Sequence, residues 1–400
     1  MLDAVSPRIL LVHVWGTHYE MGFALGSLLR DEIRQFIPEV ALFLDQLGYD
    51  ALVNRLHVPP WIARVMVTGG LLEGLSIEYR FTKEYIPAHF TAEIRGISDA
   101  TGISFETIAY LNLLPELTKA TCSIVGAWGD AIRKVGAAST LYQLRALDWQ
   151  VAGPFNDYPT LVVYHPQNTN TPGAVYHPFA TFGWPAFVGA VTGFSSSSVG
   201  LSEKYGGFKA FNGTMALAGI PFPYLLRDIL EFDADLSAAL SRIYGAARTC
   251  PIYIGLGDSR VNQLRVIGYS ESTADVYSDT TFPESAAHPH PRYTGVVYVD
   301  KREQPSSNPC LSNLIALMYG TLDAYAMMNV SAVHATGTTH VAIYDYALNY
   351  MYIASVSSAK QKPIVPAFLR PYYLLQMNTL WAEEKPNFPR SCKSFNYGVY

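Results

Sequence analysis

Thr121-Cys122-Ser123-Ile124-Val125-Gly126-Ala127-Trp128, answered by Gln143-Leu144-Arg145-Ala146-Leu147-Asp148-Trp149, is the pair of segments from which the fold is read. Both are short apolar runs bounded by turn formers, the pattern of buried strands. A cysteine opens the first. The second carries Arg-x-x-Asp followed by an aromatic. Side chains alternate along a strand, so Arg145 and Asp148 face opposite ways on a regular one. For both to serve one site, Asp148 must lie at the strand end or past a bulge. Alone, a free cysteine is usually an inert core thiol, and an isolated Arg-x-x-Asp is an ordinary ion pair. Their succession on neighbouring strands points to chemistry.

Before this pair the chain reads as a strand and then helices. Ile9–Trp15 is apolar and short, a strand rather than a signal peptide. Thr17-His18-Tyr19-Glu20 is a capping box. Met21, Leu25, Leu28, Leu29, Ile33 and Phe36 then recur at helical spacing, with Gly22 and Gly26 set for close helix packing and Pro38 as a kink or end. Further helices are expected around Trp61–Leu75 and Tyr85–Leu117. After Thr121, strand-like runs follow at Thr160–Tyr164, Ala174–Tyr176, Phe187–Thr192, Leu264–Tyr269, Thr294–Val299, His340–Tyr344 and Asn349–Ser355. Helices interrupt them at Pro221–Tyr244 and Leu311–Met328. A helical front followed by strands with intervening helices is an α+β layered core. The division expected is a mainly helical segment, 1–121, and a strand-rich segment, 122–400.

Of 400 residues, 50% are hydrophobic and 15% charged, which excludes a disordered chain. Twenty-eight basic against 33 acidic side chains leave a net charge of −5, without the basic balance of a nucleic-acid binder. No apolar run is long enough to span a membrane. The localisation expected is lysosomal or secreted if a leader has been removed, and otherwise cytoplasmic. Cys122, Cys250, Cys310 and Cys392 are too scattered for a zinc knuckle or a disulfide framework, though one disulfide among the last three is open. His and Cys spacings suggest no metal site, and no cofactor motif occurs. Gly257-Asp258-Ser259 sits mid-chain without the early strand a lipase would need.

Cys122 with Arg145-Ala146-Leu147-Asp148-Trp149 resembles the start of the catalytic chain in N-terminal nucleophile hydrolases of the cholylglycine-hydrolase type. That superfamily includes acid ceramidase, bile salt hydrolase, penicillin V acylase and isopenicillin N acyltransferase, with phospholipase B-like proteins as more distant relatives. Gly16–Gly26, Trp184–Gly189 leading into Thr192-Gly193, Gly200-Leu201-Ser202-Glu203-Lys204, Val299–Arg302, Tyr319-Gly320 and Thr336-Gly337-Thr338-Thr339-His340 follow in the same order. The likeness is strongest to acid ceramidase-like proteins of protists and runs from about residue 9 to about 385. It implies a four-layer αββα sandwich, cleavage between Thr121 and Cys122, and association of the two resulting chains.

A thiol near its reference pKa is only a few per cent thiolate at neutral pH and needs a base. If Cys122 becomes a chain terminus, its own α-amine, with a reference pKa of roughly 7.7–8.0, can take that role. Scission would begin with Sγ attacking the Thr121 carbonyl. By resemblance, Asp148 orients the new amine, and Arg145 keeps the Sγ region polar and places the substrate carbonyl. The family commonly supplies an oxyanion Asn after the Thr-Gly pair. Here Phe194 is followed by Ser195, Ser196, Ser197 and Ser198, so a serine hydroxyl or a backbone N–H would donate instead. A second polar partner falls at His288 or His290. A Cys–His pair using His334 or His340 is a rival scheme. The resemblance implies hydrolysis of an amphipathic N-acyl amide, ceramide-like or another fatty amide, through a Cys122 thioester. An acyltransferase, a phospholipase B-like esterase and a catalytically inactive lipid-binding protein are the alternatives.

Overall fold

The computed structural model describes residues 9–54, 58, 60–118, 120–134, 140–149, 153–167, 175–206, 216–284, 289–302, 304, 306 and 308–387. Its strands, in chain order, are β1 (Leu10–Gly16), β2 (Thr121–Trp128), β3 (Leu141–Asp148), β4 (Thr160–Pro166), β5 (Phe179–Gly183), β6 (Thr192–Ser195) and β7 (Val199–Tyr205). They continue with β8 (Ile252–Asp258), β9 (Gln263–Tyr269), β10 (Ala274–Tyr277), β11 (Val296–Val299), β12 (His340–Asp345), β13 (Tyr350–Ser355) and β14 (Tyr373–Gln376). Among the described residues they form an eight-stranded sheet in the order β1-β4-β5-β6-β7-β8-β9-β10 and a six-stranded sheet in the order β11-β2-β3-β12-β13-β14. Only the β1–β4 pair is parallel among the named strand pairs, and β1 leads into the helical front.

Period-two burial sorts the side chains into three apolar layers. Ile124, Leu141, Ala342 and Tyr344 of the six-stranded sheet meet Leu161, Val163, Phe182, Phe194 and Leu264 of the other between the sheets. Val125, Leu144, Val341 and Ile343 point the opposite way, onto α11 (Cys310–Met318) and α12 (Ala324–His334). Val162, Tyr164, Leu201, Ile254 and Tyr269 face outward from the larger sheet. They pack on α9 (Phe222–Phe232), α10 (Leu236–Gly245) and the helices before Cys122. The order is helix, sheet, sheet, helix: the αββα sandwich implied by the resemblance.

The helical front comprises α1 (His18–Leu28), α2 (Arg30–Asp45), α3 (Tyr49–Asn54), α4 (Pro60–Gly69), α5 (Leu71–Thr82), α6 (Ala88–Thr101), α7 (Phe105–Asn112) and α8 (Leu114–Leu117). Both bonds of the Thr17–Glu20 capping box are made. Gly22 of α1 faces the Glu93 carbonyl, and Gly96 of α6 faces the Tyr19 carbonyl. A Cβ at either would collide with backbone, which is why these helices need glycine where they cross. The last helix, α13 (Met377–Trp381), follows β14.

Several boundaries differ from the sequence reading. The first helix breaks at Leu29, not at Pro38, which lies inside α2. Ile33, Phe36, Ile37 and Val40 flank that proline in the core, so burial outweighs the lost N–H. Trp61–Leu75 divides at Gly70 and Tyr85–Leu117 at Gly102, each glycine at positive φ. Phe187–Val191 is not a strand. The Val188 N–H donates to Asn112 Oδ1 and the Ala190 N–H to the Pro223 carbonyl, so tertiary partners take the groups a ladder would use. Residues 175 and 176 are likewise not in a strand, and residue 174 lies outside the described residues.

Candidate active site

β2 and β3 pair antiparallel from Thr121↔Asp148 through Cys122↔Leu147 to Ile124↔Arg145. Partners across a ladder share a face. Cys122 and Arg145 therefore look into the space between the sheets, while Thr121 and Asp148 look the other way. Asp148 is the final residue of β3, the strand-end position that the three-residue spacing requires. Thr121 Oγ1 donates to the main-chain carbonyl of Asp148, its ladder partner, at 3.3 Å.

The Cys122 sulfur is fully buried and directs its proton at the Ala120 carbonyl, 3.7 Å away. Burial pushes the thiol up to about 11; the Arg145 guanidinium, within hydrogen-bond reach of the sulfur, pulls it down, and Glu203 opposes. Desolvation prevails, so the thiol of the uncut chain is protonated at neutral pH. Its alkylation by iodoacetamide, followed by peptide mass mapping, is expected to be slow at pH 7. The rate should climb about tenfold per pH unit toward pH 11, because the reactive thiolate fraction does so below the pKa. A plateau near pH 8–9 would contradict a desolvated sulfur.

Arg145 is fully buried as well. Its Nε–H donates to Thr192 Oγ1 at 3.1 Å and Nη1 to the Ala146 carbonyl at 3.3 Å, while Nη2 lies 3.6 Å from Glu203 Oε2. β6 pairs with β7 only as far as Thr192↔Ser202, and Glu203 is the next residue along β7. On the opposite face, Asp148 accepts from Thr336 Oγ1 at 2.5 Å and from the N–H groups of Gly337 and Thr338 at 2.8 and 3.0 Å. Burial raises this carboxyl, against the pull of those donors and of Lys301. The Thr336 hydroxyl is committed to Asp148, so Ser123 Oγ, 2.7 Å away, is the donor to Thr336.

An open cleft of about 850 Å³ ends beside this group. Phe36 and Val40 of α2, Ile108 and Leu111 of α7, Phe155, Trp184 and Phe187 make it apolar. Ala120, Leu147, Trp149 and Glu203 close it next to Cys122. Its walls come from both sides of Cys122 in the sequence, including Thr118 and Ala120 just before it.

The other sequence candidates lie elsewhere. Ser195 donates its hydroxyl to the Leu230 carbonyl of α9 at 2.7 Å. Ser197 donates its N–H and its hydroxyl to Ser195 Oγ, at 3.2 and 3.0 Å, and the Ser196 N–H goes to the Pro178 carbonyl. These hydrogen bonds tie β6 to its surroundings, and none of them goes to Cys122 or Arg145. His288 lies outside the described residues. His290 is sandwiched between Phe282 and Tyr298, at 4.3 and 4.0 Å between ring centroids, and burial lowers it to about 4. His334 ends α12, lowered by burial to about 4. His340 Nε2 lies 2.9 Å from Thr192 Oγ1, so its partner is a threonine rather than the cysteine. Thr192, Glu203 and Thr336 were not singled out from the sequence as site residues, although each falls inside a segment that carries the resemblance. Cys250 and Cys310 are free thiols, and Cys392 lies outside the described residues. Among the described residues, no helix is long and apolar enough to cross a membrane.

No family model matches the chain. It is 37% identical over 389 residues to protein dcd1A of Dictyostelium discoideum, covering 93% of this chain and 85% of that one. Protein dcd1B of the same organism is 34% identical over 394 residues, covering 95% and 76%. Among solved structures, the Caenorhabditis elegans N-acylethanolamine-hydrolyzing acid amidase ortholog is 17% identical, covering 57% of this chain and 93% of its own, with a TM-score of 0.38. Penicillin V acylase from Agrobacterium tumefaciens is 10% identical, covering 64% and 86%, with a TM-score of 0.39.

Proposed function

The chain belongs to the family of the Dictyostelium proteins dcd1A and dcd1B, and from the geometry around Cys122 we propose that it is an N-terminal nucleophile amidohydrolase acting on fatty N-acyl amides. One observation carries the reading: Cys122 Sγ of β2 lies with the Arg145 guanidinium of β3 on one face of the paired strands, Asp148 is the ladder partner of Thr121 on the other, and an apolar cleft ends against both strands. In the uncut chain Sγ adds to the Thr121 carbonyl and its proton passes to the departing Cys122 nitrogen. A thioester and a free α-amine result. Water then hydrolyses the thioester, leaving Thr121 as a carboxylate and Cys122 with both thiol and amine. In turnover the amine takes the Sγ proton as sulfur attacks the substrate amide, and delivers it to the leaving amine. Water releases the acid from the second thioester.

The cleft supports an alkyl chain as the acyl part. Apolar transfer is worth about 0.8 kcal/mol per buried methylene, and the walls offer aromatic and aliphatic contact along their length. The test is intact mass and N-terminal sequencing before and after acidification, followed by assay of N-acyl ethanolamines and N-acyl sphingoid bases. A new terminus at Cys122 together with amide hydrolysis supports the proposal. A chain that stays whole under every condition, or hydrolysis without scission, overturns it. Leu111, half-exposed on the cleft wall, is the place to test the acyl site. Leu111→Trp is expected to raise KM for long acyl chains by roughly tenfold or more and to spare short ones, since each displaced methylene costs about 0.8 kcal/mol. Equal effects at every chain length would place the acyl group elsewhere.

A further inference from the structure

The groups around the Arg145 Nε atom form a directed chain. Nε carries one hydrogen and gives it to Thr192 Oγ1 at 3.1 Å. The threonine hydroxyl has one proton of its own, and His340 Nε2 stands 2.9 Å from that oxygen. Thr192 Oγ1 accepts from the guanidinium, and among the described residues its own proton is given no acceptor other than the imidazole; that pairing makes Nε2 the acceptor and leaves the ring hydrogen on Nδ1. His340 is buried on β12, which pairs with β3 so that His340 faces Leu147 and Ala342 faces Arg145. Phe182 of β5 and Trp184, just past its end, hold the ring from the other side, at 4.6 and 6.2 Å between centroids. Burial and the nearby Arg145 charge keep it neutral. A protonated ring would have to donate toward an oxygen whose acceptor capacity is shared with a cation.

We infer that His340, acting through Thr192, is the positioning residue that aims Arg145 at Cys122 in the proposed reaction. It touches neither sulfur nor substrate. The remaining guanidinium contacts leave the orientation loose: Nη1 bonds its neighbour's carbonyl at 3.3 Å, and Nη2 is 3.6 Å from the Glu203 carboxylate. The inference rests on the proposed scission for its kinetic consequence, but the proton arrangement can be read without it.

Two measurements on the full chain test it. The first is a long-range proton–nitrogen correlation spectrum of histidine-labelled protein, with His340→Gln used for assignment. The expected signal shows Nδ1–H with bare Nε2, unchanged between about pH 5 and about pH 8, where an ordinary histidine titrates. The Nε2–H tautomer, or a titration midpoint in that range, overturns the inference whatever the kinetics show. The second is the rate at which the Cys122 terminus appears. Thr192→Val and His340→Leu should each slow it by about tenfold or more, the scale of one lost hydrogen bond to a charged group. The double variant should be no slower than the worse single one, because one chain is broken in each case. Thr192→Ser and His340→Gln, which keep an acceptor and donor in place, should recover most of the rate. Independent, multiplying effects, or single variants that cut at the wild-type rate, overturn it. If the wild type never cuts, the scission proposal falls and the spectrum alone decides this one.

Discussion

Cys122→Ala is expected to yield a folded chain that never divides at residue 121 and hydrolyses no N-acyl amide, with activity down on the order of 10⁴-fold or more. Removal of a nucleophile that works as one unit with its base has that scale. Here the loss should be compounded, because one atom serves both scission and turnover. The substitution removes a buried sulfur and its contact with the Arg145 guanidinium, while Arg145 keeps Thr192, the Ala146 carbonyl and Glu203, and the ladder of residue 122 with Leu147 is made by backbone, so the fold should tolerate it. Thermal melting of the variant within a few degrees of the wild type, with intact mass unchanged after acidification, is the expected pair of results. Residual scission would move the nucleophile elsewhere. Residual amidase activity in an undivided chain would remove the link between cutting and catalysis.

Arg227→Met is expected to be the most damaging single change to stability, about 3–5 kcal/mol, without touching Cys122. Arg227 lies on α9, fully buried. Its Nη2 is 2.7 Å from Glu93 Oε2 and 3.6 Å from Glu231 Oε2, and Nη1 donates to the Val188 carbonyl at 2.8 Å. The guanidinium also sits 4.4 Å above the Tyr164 ring, a desolvated cation–π contact. Removing the cation strands the two buried carboxylates. His18 Nε2 meets Glu231 Oε1 at 2.7 Å and His89 Nε2 meets Asp228 Oδ1 at 2.8 Å, but both histidines are partly exposed and do not replace a permanent charge. Urea unfolding checks the figure, and Arg227→Met with Glu93→Gln should recover part of it. A loss below about 1 kcal/mol would mean that the carboxylates find protons or partners at little cost. The cluster joins α1 and α6, which precede Cys122, to α9, which follows it. It is therefore where chains separated at residue 121 would be expected to hold together.

Thr121–Trp128 and Gln143–Asp148 were legible as paired strands from their apolar pattern alone, because a two-residue period and bounding turn formers are local properties. The opposite facing of Arg145 and Asp148 followed from the same period, and with it the need for Asp148 to end its strand. The Thr17 cap was legible because its bonds close within three residues. The alternation of helices and strands sufficed for an α+β layered class, and the order of the motifs for the sandwich.

What lay beyond the sequence was every partner that another layer supplies. Nothing local tells that Thr192 takes the Arg145 Nε–H, that His340 stands behind Thr192, or that Thr336 through Thr338 cradle Asp148. These residues come from separate strands and from the loop after α12; the stacking of the two sheets brings Thr192 to Arg145, and the pairing of β12 with β3 brings His340 and the Thr336–Thr338 loop. Ser195 through Ser197 show the converse: a polar run that looked free in the sequence is tied to α9 and β5 once the helix layer is laid down. Phe187–Thr192 carried a strand's pattern, yet only Thr192 is in one, because Asn112 and Pro223 captured the backbone of Val188 and Ala190. Periodicity and capping are settled by neighbours a few residues away, and the chain alone determines them. Which charged group meets which depends on contacts between distant segments, and tertiary packing decided it because only burial makes those pairings compulsory.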